Sequence, residues 1–368
     1  MKRTKQLPHV PDHIILEILR SLPGKSLARF KCVCKSWHSF LSQLKYDHKV
    51  ILCSSSSFRS VDFEASSRNI IKDVRLDFPL EVGGGVCGYT VIGSCNGLLL
   101  VIYDEGLVIW NPWTGGHKAL SSLFDPLENF DDFGCYFDDR FGFGYDHSTD
   151  DYKIVRISRS DDNKYQVEIY SLKTKSCQKR ITLPWQIGYI KRRRQPGNFI
   201  NGALYWPIRY AVGFESISLA VLRFDLSNQE FNVILSPKEF QRREQLGVLG
   251  GRLCMFGYNR ENHMCMWAME DNVENQNQNW IKLLSIPLPP LEETEGRFLI
   301  PVCFMNNGEL LLTTGQRKSY IELIGDIQEF FIYDAEEKTL KEMRGINEFF
   351  TVYKTITYTQ TLVSPLMY

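Results

Sequence analysis

The sequence predicts a multidomain α + β chain, in which a small N-terminal module of three short helices precedes an all-β propeller of five to seven blades. Three observations lead there. An apolar stripe at helical spacing fills residues 10–44 and does not recur. Glycine-containing tight turns then return at intervals of roughly fifty residues, the length of a four-stranded blade. Between them, apolar runs end in an aromatic residue followed by a polar one able to cap its own turn. The division that follows is 1–50 for the helical module, 51–85 for a linker with a candidate ring-closing strand, and 86–368 for the propeller.

The helical module reads VPDHIILEILRSLPGKSLARFKCVCKSWHSFLSQL from Val10 to Leu44. Asp12 behind Pro11 is placed to cap a first helix, in which Ile14, Ile15, Ile18, Leu19 and Leu22 form one stripe, and Pro23 ends it. Ser26 opens a second, with Leu27, Phe30, Val33 and Trp37 on one side and Lys25, Arg29, Lys31 and Lys35 left for the other. A third carries Trp37, Phe40, Leu41 and Leu44. About 40 residues cannot bury this many large apolar groups unaided. Part of that surface is therefore expected to belong to a partner protein.

In the propeller region the turns are Asn96-Gly97, Asp146–Asp151, Asn201-Gly202, Gly250-Gly251 and Asn307-Gly308, each leading into an apolar run such as LLLVIY or ALYW. The aromatic-plus-cap signature stands at Trp110-Asn111-Pro112, Tyr170-Ser171, Phe224-Asp225 and Tyr333-Asp334. One segment deviates, where Trp267 is followed by the Asn/Gln-rich stretch Asn272–Asn279. An open ring would leave an unpaired edge, so a strand from each end of the domain should close it. The candidates are Lys354–Val363 with either Lys49–Cys53 or Ile70–Leu76.

Composition narrows the function classes. Lysine plus arginine and aspartate plus glutamate both number 43, so no net field draws the chain to nucleic acid or to an anionic membrane. No apolar run long enough to span a bilayer and no signal-peptide core is present. Ten cysteines without paired spacing, and no glycosylation sequon, favour a reducing compartment, cytoplasmic or nuclear. Gly83-x-Gly85-x-x-Gly88 matches a dinucleotide fingerprint only formally, since the β-forming Tyr89-Thr90-Val91-Ile92 follows it instead of a helix. Cys32-x-Cys34, His263-x-Cys265 and His147 lack further ligands at metal spacing, and no nucleophile elbow or carboxylate pair can be assembled. No catalytic residue, metal or cofactor is expected. Trp110, Trp113, Tyr170, Tyr205 and Trp206 are read as blade core.

Val10-Pro11-Asp12, Glu17-Ile18-Leu19, Leu22-Pro23, Lys25-Ser26-Leu27, Arg29 to Lys35 and Ser36-Trp37, in that order without gaps, resemble the F-box of plant F-box proteins. The departures are Val10, Gly24 and Ala28, where the family usually has leucine, a branched residue and a larger apolar one. Gly93 to Leu99, Trp110 to Thr114, Phe141 to Asp146 with Asp151 to Val155, and the tail Tyr358 to Pro365 resemble the F-box-associated, kelch-like domain that follows it, and are also similar to pollen S-locus F-box proteins. The resemblance implies a non-catalytic substrate receptor of a Skp–cullin–F-box ubiquitin ligase. It would dock an Skp adaptor, and through it cullin and RING subunits, by Val10, Pro11, Ile14, Ile18, Leu19, Leu22, Pro23, Leu27, Phe30, Val33 and Trp37.

The target surface is expected on one rim. If the Asn-Gly turns join first to second strands and the Trp-Asn-Pro type turns join third to fourth, both sets share a rim, and the longer connections Ser121–Asp139, Leu183–Pro196, Tyr210–Ser216, Ser236–Gln245, Ser285–Gly296 and Gly315–Gln328 share the other. Asp131 and Asp132 make one connection acidic, and Lys191, Arg192, Arg193 and Arg194 make another basic. These six residues are the candidate contacts for a target protein of mixed surface charge. The competing classes are a lectin-like or kelch-type binding protein outside any ligase, and a propeller enzyme.

Overall fold

A computed structural model describes residues 14–15, 18–19, 26–27, 48–54, 57–63, 73–80, 89–103, 106–120, 140–159, 164–183, 187–188, 196–212, 216–240, 242–270, 279–287, 298–315, 329–343 and 354–367. Among these the architecture is all-β: twenty-five strands in six antiparallel sheets, with one 3-10 turn at Pro365–Met367. This corrects the α + β expectation. Period-two apolar runs between turns in the left-handed region account for almost every described residue, so strand pairing alone sets the class. The three-helix expectation falls on residues 10–44, which lie outside the described residues except at Ile14, Ile15, Ile18, Leu19, Ser26 and Leu27. Those six have helical backbone, but no α-helical element can be drawn through them.

The six sheets are the blades of a ring, each with strands a to d. Blade II, in chain order from a to d, is Thr90–Cys95, Leu98–Tyr103, Gly106–Trp110 and His117–Ala119. Blade III runs Arg140–Asp146, Asp151–Arg159, Tyr165–Ser171 and Ser176–Thr182. Blade IV has a divided a strand, Ile187–Gly188 and Asn198–Ile200, both paired with Ala203–Val212, followed by Ser216–Asp225 and Phe231–Leu235. Blade V is Arg242–Leu249, Arg252–Tyr258, His263–Glu270 and Asn279–Pro287, and blade VI is Phe298–Phe304, Leu310–Gly315, Phe330–Asp334 and Thr339–Met343.

Blade I closes the ring. Its b, c and d strands are His48–Cys53, Phe58–Val61 and Asp73–Leu76, and its a strand is Lys354–Thr359, from the other end of the chain. His48 pairs with Thr359 and Cys53 with Lys354 in unbroken antiparallel register. Of the two candidate partners for the C-terminal strand, it is the segment at Lys49–Cys53 that pairs with it.

The core repeats between every adjacent pair of blades. Six clusters lie at I/II (Ile51, Leu99, Trp110), II/III (Ile92, Phe143, Tyr152), III/IV (Val155, Leu204, Trp206), IV/V (Tyr205, Leu253, Met255), V/VI (Phe256, Met266, Phe298) and VI/I (Val50, Leu311, Phe330). The inner strands contribute alternate side chains to the cluster on either side, so successive residues such as Val50 and Ile51 serve different interfaces. Trp110, Tyr170, Tyr205 and Trp206 are buried as the sequence suggests, while Trp113 is only partly so. Around the axis the a strands approach closely. Gly142 and Gly197 form a parallel bridge, and a Cβ at Gly142 would stand 2.6 Å from the Trp206 ring, so only glycine admits blade IV this close to blade III.

Candidate interaction surfaces

The two rims of the ring are built differently. Among the described residues, one carries the a–b turns of blades II to VI and the c–d turns of blades II, III, IV and VI. The five turns foreseen at Asn96-Gly97, Asp146–Asp151, Asn201-Gly202, Gly250-Gly251 and Asn307-Gly308 are the a–b turns of blades II to VI, with φ of 48° and 75° at Asn96 and Gly97 and again at Asn201 and Gly202. The c–d turns are capped by the residues the pattern marks. Asn111 accepts from the Trp113 and Thr114 amides at 3.0 and 3.1 Å, Asp225 from the Ser227 amide at 3.0 Å, and Asp334 from the Glu336 amide at 2.9 Å. Ser171 accepts from the Thr174 amide at 3.1 Å. The opposite rim receives the b–c and d–a connections; these are not uniformly the longer ones, since the b–c link from Tyr103 to Gly106 is short while the c–d links from Val61 to Asp73 and from Glu270 to Asn279 are long.

Two buried polar groups lock the short-turn rim. Asn111, fully buried, donates through Nδ2 to the Thr361 and Val363 carbonyls at 2.9 Å each, so the chain beyond the last strand is strapped across blade II. Gly97 lies under this strap, and a Cβ there would stand 1.9 Å from Thr361 and 2.4 Å from the Thr359 carbonyl oxygen. In blade III, Lys153 Nζ donates to Asp146 at 2.6 Å and to the Leu226 carbonyl of blade IV at 3.0 Å. Burial opposes ionisation of Asp146. Hydrogen bonds from Lys153, Ser148 and Thr149 outweigh it and hold the carboxyl far below the usual range.

The opposite rim carries a charged network in blade V. Glu239 accepts from Lys282 Nζ at 2.7 Å and from Trp267 Nε1 at 3.1 Å, and the Lys282 ammonium holds the Glu239 carboxyl below its ordinary value. Cys265 Sγ stands 3.5 Å from Ser285 Oγ, which stands 3.4 Å from His263 Nδ1. This is not an activated nucleophile, because burial pushes the Cys265 thiol up when reactivity requires the thiolate. Among the described residues no three His, Cys, Asp or Glu side chains gather as metal ligands, and no helix is long and apolar enough to cross a membrane. A cavity of about 180 Å³ opens between blades IV and V on the short-turn rim, lined in part by Tyr205, Arg252, Leu253 and Met269.

The candidate docking residues are only partly described. Ile14 and Ile18, at 37% and 53% exposure, are among the exposed large hydrophobic residues, whereas Leu19 and Leu27 are buried to 1%. Val10, Pro11, Leu22, Pro23, Phe30, Val33 and Trp37 lie outside the described residues, as do Asp131, Asp132 and Lys191 to Arg194. So does the Gly83 to Gly88 stretch. Sequence reasoning did not assign the strap held by Asn111 or the Lys153 bridge between blades. Both carry a sequence signal, a polar residue inside an otherwise apolar strand end, but their partners lie 250 and 73 residues away.

The model of the F-box associated beta propeller domain matches residues 36–365, and that of the F-box domain matches residues 7–49. The chain belongs to the F-box associated propeller family. An F-box/kelch-repeat protein of Arabidopsis thaliana is 34% identical over 304 residues, covering 76% of this chain and 80% of the relative. F-box protein CPR1, also from Arabidopsis thaliana, is 26% identical over 370 residues, covering 91% and 84%. Among solved structures, the propeller domain of the Trilobed protease from Pyrococcus furiosus covers 82% of this F-box protein and 83% of its own chain, at 8% identity and a TM-score of 0.37.

Proposed function

We propose that this F-box protein is the substrate-recognition subunit of a Skp–cullin–F-box ubiquitin ligase, with the F-box docking an Skp-type adaptor and the propeller holding a target protein. The observation that carries the reading is the co-occurrence in one chain of an F-box over residues 7–49 and a propeller domain over residues 36–365. Ile14 and Ile18 add to it. Both are exposed large hydrophobic residues within the range that the F-box model matches. A partner that covers such a pair gains about 1.5–3 kcal/mol for each fully buried side chain.

On this reading Val10, Pro11, Ile14, Ile18, Leu22, Pro23, Phe30, Val33 and Trp37 supply the docking surface and its support, while Leu19 and Leu27 pack inside it. The target contacts are Asp131, Asp132 and Lys191 to Arg194 on the connections of the opposite rim. The chain contributes no catalytic group. It accelerates ubiquitin transfer by holding the target near the conjugating enzyme, which converts a bimolecular encounter into a local one. The protein then works in the cytoplasm or nucleus, where cullin ligases act on folded targets.

The test is binding of the full chain to an Skp-type adaptor. Ile18→Asp is the informative variant because Ile18 is exposed, so that loss of binding with an unchanged melting temperature reports the surface itself. Leu19→Asp is less clean, since a charge at a buried position also unfolds. Wild-type protein that fails to bind any Skp-type adaptor refutes the reading.

A further inference from the structure

The cavity between blades IV and V opens beside two a–b turns, Asn201-Gly202 and Gly250-Gly251. A Cβ added at Gly202 or Gly251 would meet nothing within 4 Å, whereas the corresponding Gly97 of blade II lies under the strap. The turns that flank the cavity are thus left uncovered. Inside it, Tyr205, Leu253 and Met269 are buried and, with the half-buried Ile200, belong to the apolar cluster of the IV/V seam. Its mouth is charged. Cys254 pairs with Ala268, and two residues further on the same register sets Arg252 opposite Glu270, the first exposed and the second half-buried. Among the described residues neither of these side chains has an ion-pair partner.

We propose that this cavity is a binding site for one aromatic ring carried on an amino-acid backbone. A cavity of roughly 150 Å³ holds a benzene ring, and this one has about 180 Å³. The walls favour an aromatic guest over an aliphatic one. Met269 supplies a thioether and Tyr205 a ring, and both add a favourable contact with a π system beyond the area they bury. The Tyr205 ring is held in place, since Arg223 Nε donates to its oxygen at 3.2 Å while the same guanidinium donates to Asp225 at 2.7 Å. The wall is therefore formed before any ligand arrives. At the mouth, Arg252 and Glu270 match the carboxylate and the ammonium of a free amino acid, and an uncharged peptide backbone can also lie across them. Two sources share this chemistry: a free aromatic amino acid, and an aromatic residue within a target segment. The site does not depend on adaptor binding, and it lies on the rim opposite the charged connections.

The test uses the full chain with carbon-13-labelled methionine methyl groups and two probes, phenylalanine and N-acetyl-phenylalaninamide. The chain has eight methionines, and the variant Met269→Leu assigns the resonance of the one in the cavity wall. The expected result is a saturable ring-current shift of the Met269 methyl resonance, with a dissociation constant on the order of millimolar, as burial of one side chain supports. N-acetyl-alaninamide, which has no ring, should leave the resonance in place. Ile200→Trp puts an indole into the space and should weaken binding at least about tenfold; if that variant melts early, the methyl shift in the wild type decides alone. Binding of the amide at least as tight as that of phenylalanine assigns the site to a target residue. Tighter binding of phenylalanine, with the advantage removed by Arg252→Ala, assigns it to the free amino acid. No shift with either probe, an equal shift with N-acetyl-alaninamide, or unchanged binding by folded Ile200→Trp overturns the proposal.

Discussion

Replacing Lys153 by methionine removes the ammonium that joins blade III to blade IV while keeping the length of the side chain. In the folded protein the Lys153 and Asp146 side chains are 3% and 0% exposed, and Lys153 also satisfies the Leu226 carbonyl. The variant leaves a buried carboxylate with hydrogen bonds only from Ser148 and Thr149, and a carbonyl that has lost this donor. Breaking a buried pair by removing one partner costs about 3–5 kcal/mol. At about 2 °C per kcal/mol for a chain of this size, the melting temperature should fall by about 6–10 °C at pH 7. The sign of the pH dependence follows from Asp146. Its folded value is depressed, so in the wild type it contributes stability that is present above the unfolded carboxyl value near 4 and is lost as pH falls below it. In Lys153→Met burial dominates and favours the protonated acid, so the gap between variant and wild type should narrow as pH falls from 7 to 4. Thermal melts followed by near-ultraviolet circular dichroism at both pH values measure this. An unchanged melting temperature at pH 7 would refute the reasoning.

Asn111→Ala removes two donors to the strap and two capping bonds, and should lower the melting temperature and expose residues 360–367 to carboxypeptidase; truncation after Thr359 combined with Asn111→Ala should cost less than the sum of the two, since both break one contact. Gly97→Ala should destabilise more than Gly202→Ala in parallel denaturation curves. Both need φ of 75°, but a Cβ at Gly97 strikes the strap whereas at Gly202 nothing lies within 4 Å. Glu239→Gln, at a partly exposed ion pair, should change stability by less than about 1 kcal/mol in the same assay.

Four of the five a–b turns were legible because asparagine and glycine adopt positive φ most readily, and the fifth, Asp146–Asp151, places Asp150 there instead; each marks one blade. The closing blade lacks that mark, because no a–b turn joins its first two strands; it was foreseen from the need to close an open edge, and only the choice between Lys49–Cys53 and Ile70–Leu76 was left open. Thr359 and His48 meet as register partners from opposite ends of the chain, which no local pattern records. Residues 51–85 read as a linker with a candidate ring-closing strand at Ile70–Leu76; Phe58–Val61 and Asp73–Leu76 are the c and d strands of blade I, and neither pairs with the C-terminal strand. Blade IV hid its divided inner strand, since a two-residue piece at Ile187–Gly188 has no periodicity to detect. The α + β class was drawn from a 35-residue stretch with helical spacing, of which only six residues are described, whereas the elements of the described residues are strands apart from one 3-10 turn. For the surfaces, Ile14, Ile18, Leu19 and Leu27 all looked alike in the apolar stripe. Only accessibility separates the first two from the last two.

The central claim is that an Skp-type adaptor binds this chain through its F-box. Isothermal titration of purified full-length protein with the adaptor tests it directly. The account predicts binding by the wild type and a loss of at least about tenfold in affinity for Ile18→Asp, with the melting temperature of the propeller unchanged. Absence of binding by the wild type, or equal binding by Ile18→Asp, would contradict it.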